Sequence, residues 1–385
     1  MRLSWVKNAF VVLVSCGLFL TAAEVFFRVY HYEGWSERNE EAFDPMYGLV
    51  SERSWIFSDP LSIPGRNDDG DLRILFLGDS GTAGFGVGRQ NSFPSQVGKL
   101  LDEIRPSPRV NIINAGESGM APIHQLTLYR RRLAALQPDV IVLGLFLAND
   151  INFGSSFTKV LLKNKEPPTS AYSLRFLRKK SALVHFVTSR LVLLNQRTRF
   201  ISASTIREKS LWQSLSLMDS YGFEFLNYCT GEIATYMKNP SSLMNEAFDL
   251  LGAVLKELKA DADTNHAQLL VLLIPTSSSL SNRLDMYVYP DAESELTRLN
   301  LSVKDLDFSL PTRHVLSICK KFNISCLDPT SELRELGAKS AIRAHDDHPT
   351  IQGHAVLARK LTSALLPMLS KVSASAGKKV AHIVK

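Results

Sequence analysis

The chain has 385 residues, 45% hydrophobic and 21% charged, so a mostly disordered chain is excluded and one large domain with an insertion, or two domains, is expected. The net charge of +6 is modest, and its basic residues lie at the chain ends and in one run, Arg175 to Lys180. No stripe of Lys and Arg interleaved with aromatics is present, which excludes a nucleic-acid partner.

At the N-terminus, Arg2 and Lys7 precede an apolar run from Ala9 to Ala23, interrupted by Glu24 and resumed by Val25-Phe26-Phe27. Counted on to Phe27, the run approaches the roughly 20 residues that cross a bilayer. Basic residues ahead of it favour an N-inside orientation and export of the chain beyond the run. An uncleaved signal anchor is expected over 1–29. A signal peptide cut after Thr21-Ala22-Ala23, or a lipoprotein signal ending at Cys16, are the alternatives, and all three export the domain. Residues 30–70 contain Pro45, Pro60, Pro64 and the run Arg66-Asn67-Asp68-Asp69-Gly70, which reads as a linker hugging the surface.

Leu72 to Leu77 is a buried strand, broken by Gly78-Asp79-Ser80-Gly81. A helix is expected over Ser92–Glu103, with Pro94 in its first turn. A second strand, Val110–Ile113, ends in Asn114-Ala115-Gly116. A helix over Ile123–Leu136 stops at Pro138, and Asp139–Phe146 is a third strand, ending in Leu147-Ala148-Asn149-Asp150. Three apolar strands, each ending in a polar turn and followed by a helix or loop, predict a parallel sheet in an α/β fold. Residues 151–240 break this rhythm. Pro167-Pro168, the basic run and an apolar helix over Leu183–Leu194 suggest an inserted cap. Alternation resumes with a helix over Leu243–Ala260, a strand Leu269–Ile274, a loop Thr276–Leu310, a helix Arg313–Phe322, a short strand Ile324–Leu327 and a last helix Gln352–Leu369. A basic, frayed tail is expected after Lys371.

Ser80 sits just past the carboxyl end of the first strand, the edge at which open α/β sheets place their chemistry. A serine hydroxyl needs a base within hydrogen-bond reach to act as a nucleophile. His348, in His345-Asp346-Asp347-His348-Pro349, is the candidate. A neighbouring carboxylate would orient the ring, and Asp346 and Asp347 are both at hand. The Ser80 amide, the Gly116 amide and the Asn149 side chain, at three successive strand ends, are candidate donors to a developing oxyanion. Asp79 and Asp150 read as carboxylates that fix turns, and His354 and His124 as packing residues. Gly84-Phe85-Gly86-Val87-Gly88 lacks the spacing of a dinucleotide loop. The four cysteines, 16, 229, 319 and 326, have no metal-ligand spacing. Cys319 and Cys326 read as small buried apolar residues that an oxidising compartment would allow to bridge. No cofactor or metal is expected.

Taken in order, Gly78-Asp79-Ser80, Asn114-Ala115-Gly116, Asn149-Asp150 and the stretch from Asp346 through His348 to Gly353-His354 resemble the four blocks of the SGNH (GDSL-type) hydrolase superfamily. The resemblance covers about residues 70 to 155 and 265 to 370. It implies a flavodoxin-like three-layer α/β/α sandwich on a five-stranded parallel sheet. It implies serine ester hydrolysis or acyl transfer, with Ser80 as nucleophile, His348 as base, Asp346 as orienter and Ser80, Gly116 and Asn149 as oxyanion donors. Asp347 is the alternative acid; Asp346 is preferred because the residue adjacent to His348 tends to point away from it. Three departures stand out: Gly81 replaces a bulky apolar residue, Leu147-Ala148 replace a glycine, and His345 stands three residues ahead of His348.

The resulting division is an anchor (1–29), a linker (30–70), a core in two halves (71–150 and 262–371), a cap that selects substrate (151–261) and a basic tail (372–385). The expected partners are an acyl-ester substrate, polysaccharide among the candidates, and the membrane, with the catalytic domain outside the cytoplasm. The expected activity is ester hydrolysis. Transfer of an acyl group to an extracytoplasmic polysaccharide, or a non-catalytic binding scaffold, are the alternatives.

Overall fold

The computed structural model describes residues 2–29, 41–44, 48–51, 71–104, 108–147, 149–151, 180–188, 233–240, 242–284, 300–343 and 346–383, with single positions between 162 and 191 and between 293 and 297. Most of the expected cap, with Pro167-Pro168, the rest of the basic run, Val192 to Leu194 and Cys229, lies outside the described residues, as does His345.

Strands β3 (Leu72–Gly78), β4 (Val110–Asn114), β5 (Val140–Phe146), β6 (Gln268–Ile274) and β7 (Ser325–Leu327) form one sheet in the order β4-β3-β5-β6-β7. All four pairings are parallel. Strands β1 (Glu41–Asp44) and β2 (Gly48–Ser51) form a separate antiparallel hairpin within the stretch expected as linker.

Both faces of the sheet are covered, which is why its inner strands are unbroken apolar runs. Every residue of β3 and of β5 is buried. Leu75 and Leu77 of β3 face a core shared with helices α4 (Pro122–Arg131), α5 (Ser242–Thr264) and α6 (Leu310–Lys321). Ile74 and Phe76 face the opposite core, filled by α3 (Phe93–Ile104) and α7 (Ile351–Ile383). The result is the expected three-layer α/β/α sandwich, with the flavodoxin-like strand order. The chain runs outward from β3 to β4 and then crosses back to β5, so its direction reverses between the carboxyl ends of β3 and β5. Open sheets bind ligands at that crevice.

Four boundaries differ from expectation. Helix α4 ends at Arg131, and Leu133–Leu136 tightens into a 3-10 turn. Arg130, at that break, bonds to Glu257 at 2.6 Å and Asp261 at 2.5 Å on α5. Helix α6 starts at Leu310 because Pro311 suits a first turn, where its missing N–H costs nothing. The loop after β6 contains a turn of helix, Ser277–Ser281, capped by the Thr276 hydroxyl, which accepts from Ser279 N at 3.0 Å. The last helix, expected to end at Leu369, continues as α7 to Ile383. Alanine and lysine, frequent from Ala374 to Ala381, are good helix formers, and no proline interrupts the helix there. Helix α1 (Arg2–Val29) is long and apolar enough over Phe10–Val29 to cross a membrane, with a mean hydropathy of 2.2 and none of that window buried.

The short helix α2 (Ser80–Ala83) is seated against the strand ends by the absence of three side chains. Thr82 is fully buried. A Cβ on Gly78 or Gly144 would fall on Thr82 Oγ1, and one on Gly116 would come within 2.6 Å of Ala83 N and 2.8 Å of the Thr82 carbonyl carbon. Overpacking of this kind costs about 1–3 kcal/mol. Gly144→Ala is therefore expected to destabilise the protein by about that amount, and Thr82→Ala to recover part of the loss in the double variant. Urea denaturation of the two single variants and the double measures the coupling; strict additivity contradicts the contact.

Candidate active site

The chain leaves β3 at Gly78 and turns at once. Asp79 is extended (φ −93°, ψ −150°) and caps α2, its Oδ1 accepting from Gly81 N at 2.9 Å. Gly84 closes the turn in the left-handed conformation (φ 87°), donating its N–H to Ser80 O at 3.1 Å. That φ favours glycine. Ser80 is thereby held at the first helical position, over the crevice between β3 and β5.

His348 reaches the same point from the far side of the sequence. Its loop is closed by a bridge between Ile342 and Pro349 and by Arg343 N, which donates to His348 O at 2.8 Å. Asp347 sits at φ 59° with its side chain fully buried, and its Oδ1 accepts from Ser277 N at 2.7 Å. The carboxylate beside the histidine thus ties the loop to the end of β6 and points away from the ring. Ser80 Oγ lies 2.7 Å from His348 Nε2. His348 Nδ1 lies 2.7 Å from the Asp346 backbone carbonyl and 3.6 Å from the Asp346 carboxylate. The same carboxylate accepts from His348 N at 3.3 Å and pairs with Arg343 at 2.9 Å.

These contacts assign the tautomer. A carbonyl oxygen can only accept, so Nδ1 carries the proton. In the neutral ring Nε2 is then an acceptor, and Ser80 O–H donates to it. The Asp346 carbonyl takes the place that the resemblance gave to its carboxylate. The carboxylate holds the loop instead, through the backbone N–H and Arg343. Arg343 also donates to the Phe85 carbonyl at 3.4 Å, which links the histidine loop to the segment after α2. The rings of Phe85 and Phe146 flank the imidazole, with centroids 4.9 Å and 5.6 Å away. Sequence reasoning missed Arg343, Phe85 and Phe146. The Asp346 spacing to Arg343 (i, i−3) was the available signal for the first; the aromatics come from distant segments and left none.

One of the expected oxyanion donors, the Gly116 amide, has a protein partner. Gly116 N donates to Asn114 Oδ1 at 2.9 Å, while Asn114 Nδ2 donates to Thr82 O at 3.0 Å. Asn114 therefore bridges the β4 turn to α2. The Asn149 side chain is buried and lies close enough to Asp79 to oppose the rise of its carboxyl.

Burial pushes the Asp79 carboxyl above its usual range, against the opposing pull of His348 and of hydrogen bonds from Gly81 and Asn149. Burial, and then the charge of Asp79, raise Asp150 well above its own. Asp150 accepts from Phe146 N at 2.8 Å. Two buried carboxyls so close do not both ionise readily. Among the described residues no group of three or more His, Cys, Asp or Glu side chains is placed to hold a metal ion.

His354 and His124 are both fully buried. Desolvation lowers His124 to about 3 and, together with the charge of His348, His354 to about 4. His354 Nδ1 accepts from Phe93 N at 3.2 Å and its ring stacks on Phe93; His124 Nδ1 accepts from Ala121 N at 3.0 Å. Both are neutral packing groups.

No family model matches the chain, and no curated protein matches it. Solved structures of similar shape include a G-D-S-L family protein from Desulfitobacterium hafniense DCB-2, 10% identical over 76% of this chain and 98% of that one, with a TM-score of 0.36. Axe2, an acetylxylan esterase from Geobacillus stearothermophilus, is 13% identical over 75% of this chain and 92% of its own, with a TM-score of 0.38. TesA is 13% identical over 77% and 99%, with a TM-score of 0.38.

The buried histidines set an acid limit. Their folded values lie below the ordinary 6.5, so the unfolded chain binds more protons between about 4 and 6.5. Stability from these groups is complete above about pH 6.5 and lost as pH falls. Asp79 and Asp150, raised on folding, act in the opposite sense, so the comparison must be with a variant. His354→Asn, whose Oδ1 can still accept from Phe93, is expected to take up about one proton fewer on unfolding between pH 6.5 and 4.5. Urea midpoints across that window, wild type against variant, give the slope; parallel slopes contradict a neutral His354.

Proposed function

We propose that the protein is a serine ester hydrolase of the SGNH type, acting outside the cytoplasm on an acyl ester of a glycan, a lipid or a small molecule. The observation that carries this is the 2.7 Å contact between Ser80 Oγ and His348 Nε2, with Nδ1 tied to a carbonyl. That pairing is the geometry in which a neutral imidazole takes a hydroxyl proton.

In the proposed reaction Ser80 Oγ attacks the ester carbonyl and its proton passes to His348 Nε2. The tetrahedral oxyanion meets the Ser80 amide, at the N-terminal end of α2, with the Gly116 amide and Asn149 Nδ2 beside it. The Gly116 amide must share or exchange its present partner, Asn114, to serve. Collapse expels the alcohol, which takes the proton from Nε2, and leaves an acyl group on Ser80. Water then attacks that acyl group, giving its proton to Nε2, and the acid leaves as the Ser80 hydroxyl is restored. The imidazolium formed twice in this cycle is favoured by the Asp346 carbonyl on Nδ1. Asp346 is a positioning residue whose carbonyl holds the ring and whose carboxylate, with Arg343, holds the loop.

A fluorophosphonate probe and p-nitrophenyl acetate test the proposal on the full chain in detergent. Wild type is expected to label and to hydrolyse, with both lost in Ser80→Ala and in His348→Ala, by about a thousandfold or more in kcat/KM. Absence of labelling in folded wild-type protein would overturn it. Asp346→Ala removes the carboxylate and keeps the carbonyl. Its expected loss is only about tenfold in kcat, with KM little changed. A loss equal to that of His348→Ala would instead make the carboxylate the essential orienter.

A further inference from the structure

Glu24 interrupts an apolar helix. If the membrane span starts at Phe10, Glu24 lies about 21 Å along it, at 1.5 Å per residue, short of the roughly 30 Å of a hydrocarbon core. A lone carboxylate at that depth is costly and calls for a partner. Glu24 has several, and most come from a segment more than 150 residues away. Ser181 Oγ donates to Oε2 at 2.7 Å, Ala182 N to Oε1 at 3.0 Å and Leu183 N to Oε2 at 3.0 Å. These are the leading donors of the helical residues 182–188, so Glu24 caps that helix. Arg28 bonds to Glu24 at 2.6 Å and to Lys180 O at 2.8 Å. Phe27 stacks on Phe186 at 4.3 Å. The end of helix 182–188 is therefore fixed at the depth of Glu24, beside a helix whose apolar window has no buried residue.

The docked segment has the two-sided chemistry of an interfacial helix. Ala182, His185 and Thr188 are buried. Phe176, Leu177, Val187 and Leu191 are exposed, by 62%, 50%, 44% and 36%. The sequence flanks them with Arg175, Arg178, Lys179 and Lys180, and Arg190 lies over the Phe186 ring at 5.3 Å. Apolar side chains beside clustered cations suit the boundary between acyl chains and anionic headgroups.

We propose that Phe176, Leu177, Val187 and Leu191 form a second membrane contact, docked on the anchor through Glu24 and lying in the interface of an anionic bilayer. The catalytic domain is then held to the lipid surface at two points. This goes beyond the proposed ester chemistry and rests only on α1 lying in the membrane.

The test uses the full chain in liposomes of phosphatidylethanolamine and phosphatidylglycerol. The photo-crosslinker p-benzoylphenylalanine is placed singly at Val187, at Leu177, at Phe19 of α1 and at exposed Val303 on the core. Lipid adducts, identified by mass, are expected at Phe19, Leu177 and Val187, with Val303 at background. Glu24→Ala should lower the Val187 adduct about tenfold, the value of a charge-assisted hydrogen-bond network, and leave Phe19 unchanged. Labelling at Phe19 with Val187 and Leu177 at the Val303 level would overturn the proposal while leaving the anchor intact. Background at Phe19 as well would show that α1 is not in lipid and remove the proposal's premise. Adducts at Val187 to a second copy of the chain in place of lipid, or labelling unaffected by Glu24→Ala, would also overturn it.

Discussion

The turn from Asp79 to Gly84 has to lie within van der Waals reach of three strands, and the rest of the site depends on that close approach. Thr82 fills the space that side chains on Gly78 and Gly144 would take, and Gly116 lies directly against the Thr82–Ala83 backbone. Asn114 then stitches the β4 turn to α2 from both ends of its amide. The serine is held by packing at its back, where the protein is dry, so its front can stay open. A hydroxyl on a looser loop would spend entropy each time it met its base; here the sheet has already ordered it.

The histidine is positioned by a different means. Its loop carries little apolar material of its own, and it is fastened by charge and backbone hydrogen bonds. Asp347 turns inward to Ser277, Arg343 pairs with Asp346 and reaches the Phe85 carbonyl, and the ring sits between Phe85 and Phe146. The two acids adjacent in sequence thus do separate jobs. The inward one anchors the loop to the sheet, and the outer one places a carbonyl under Nδ1. Beneath both lie the buried carboxyls of Asp79 and Asp150, each pushed above its usual range by burial.

The anchor and the core are linked by the same logic of satisfying a buried polar group. Glu24 is out of place in an apolar helix until the donors of helix 182–188 meet it. One carboxylate in the first 30 residues therefore organises a contact with the middle of the chain.

Hydrophobic period and turn chemistry are local, and they were enough to locate β3 to β7, the helices between them and Ser80 at a strand end. Parallel pairing and the layer structure came with them, because unbroken apolar strands must be covered on both faces. Ser80 and His348 were legible as a pair because both sit where a strand or loop meets the carboxyl edge of the sheet. What the local pattern could not carry was any choice between groups of equal chemistry. Whether a carboxylate or a carbonyl meets Nδ1, which acceptor Gly116 serves, and why α4 ends at Arg131 depend on atoms brought together from distant segments. Asp347, at φ 59°, is buried with its Oδ1 on Ser277 N. The pattern by itself determined the sheet and the placement of Ser80 and His348 at its carboxyl edge. Only the tertiary structure decided how the His348 ring is oriented and which groups meet Glu24, because hydrogen-bond partners are set by distances that sequence spacing does not contain.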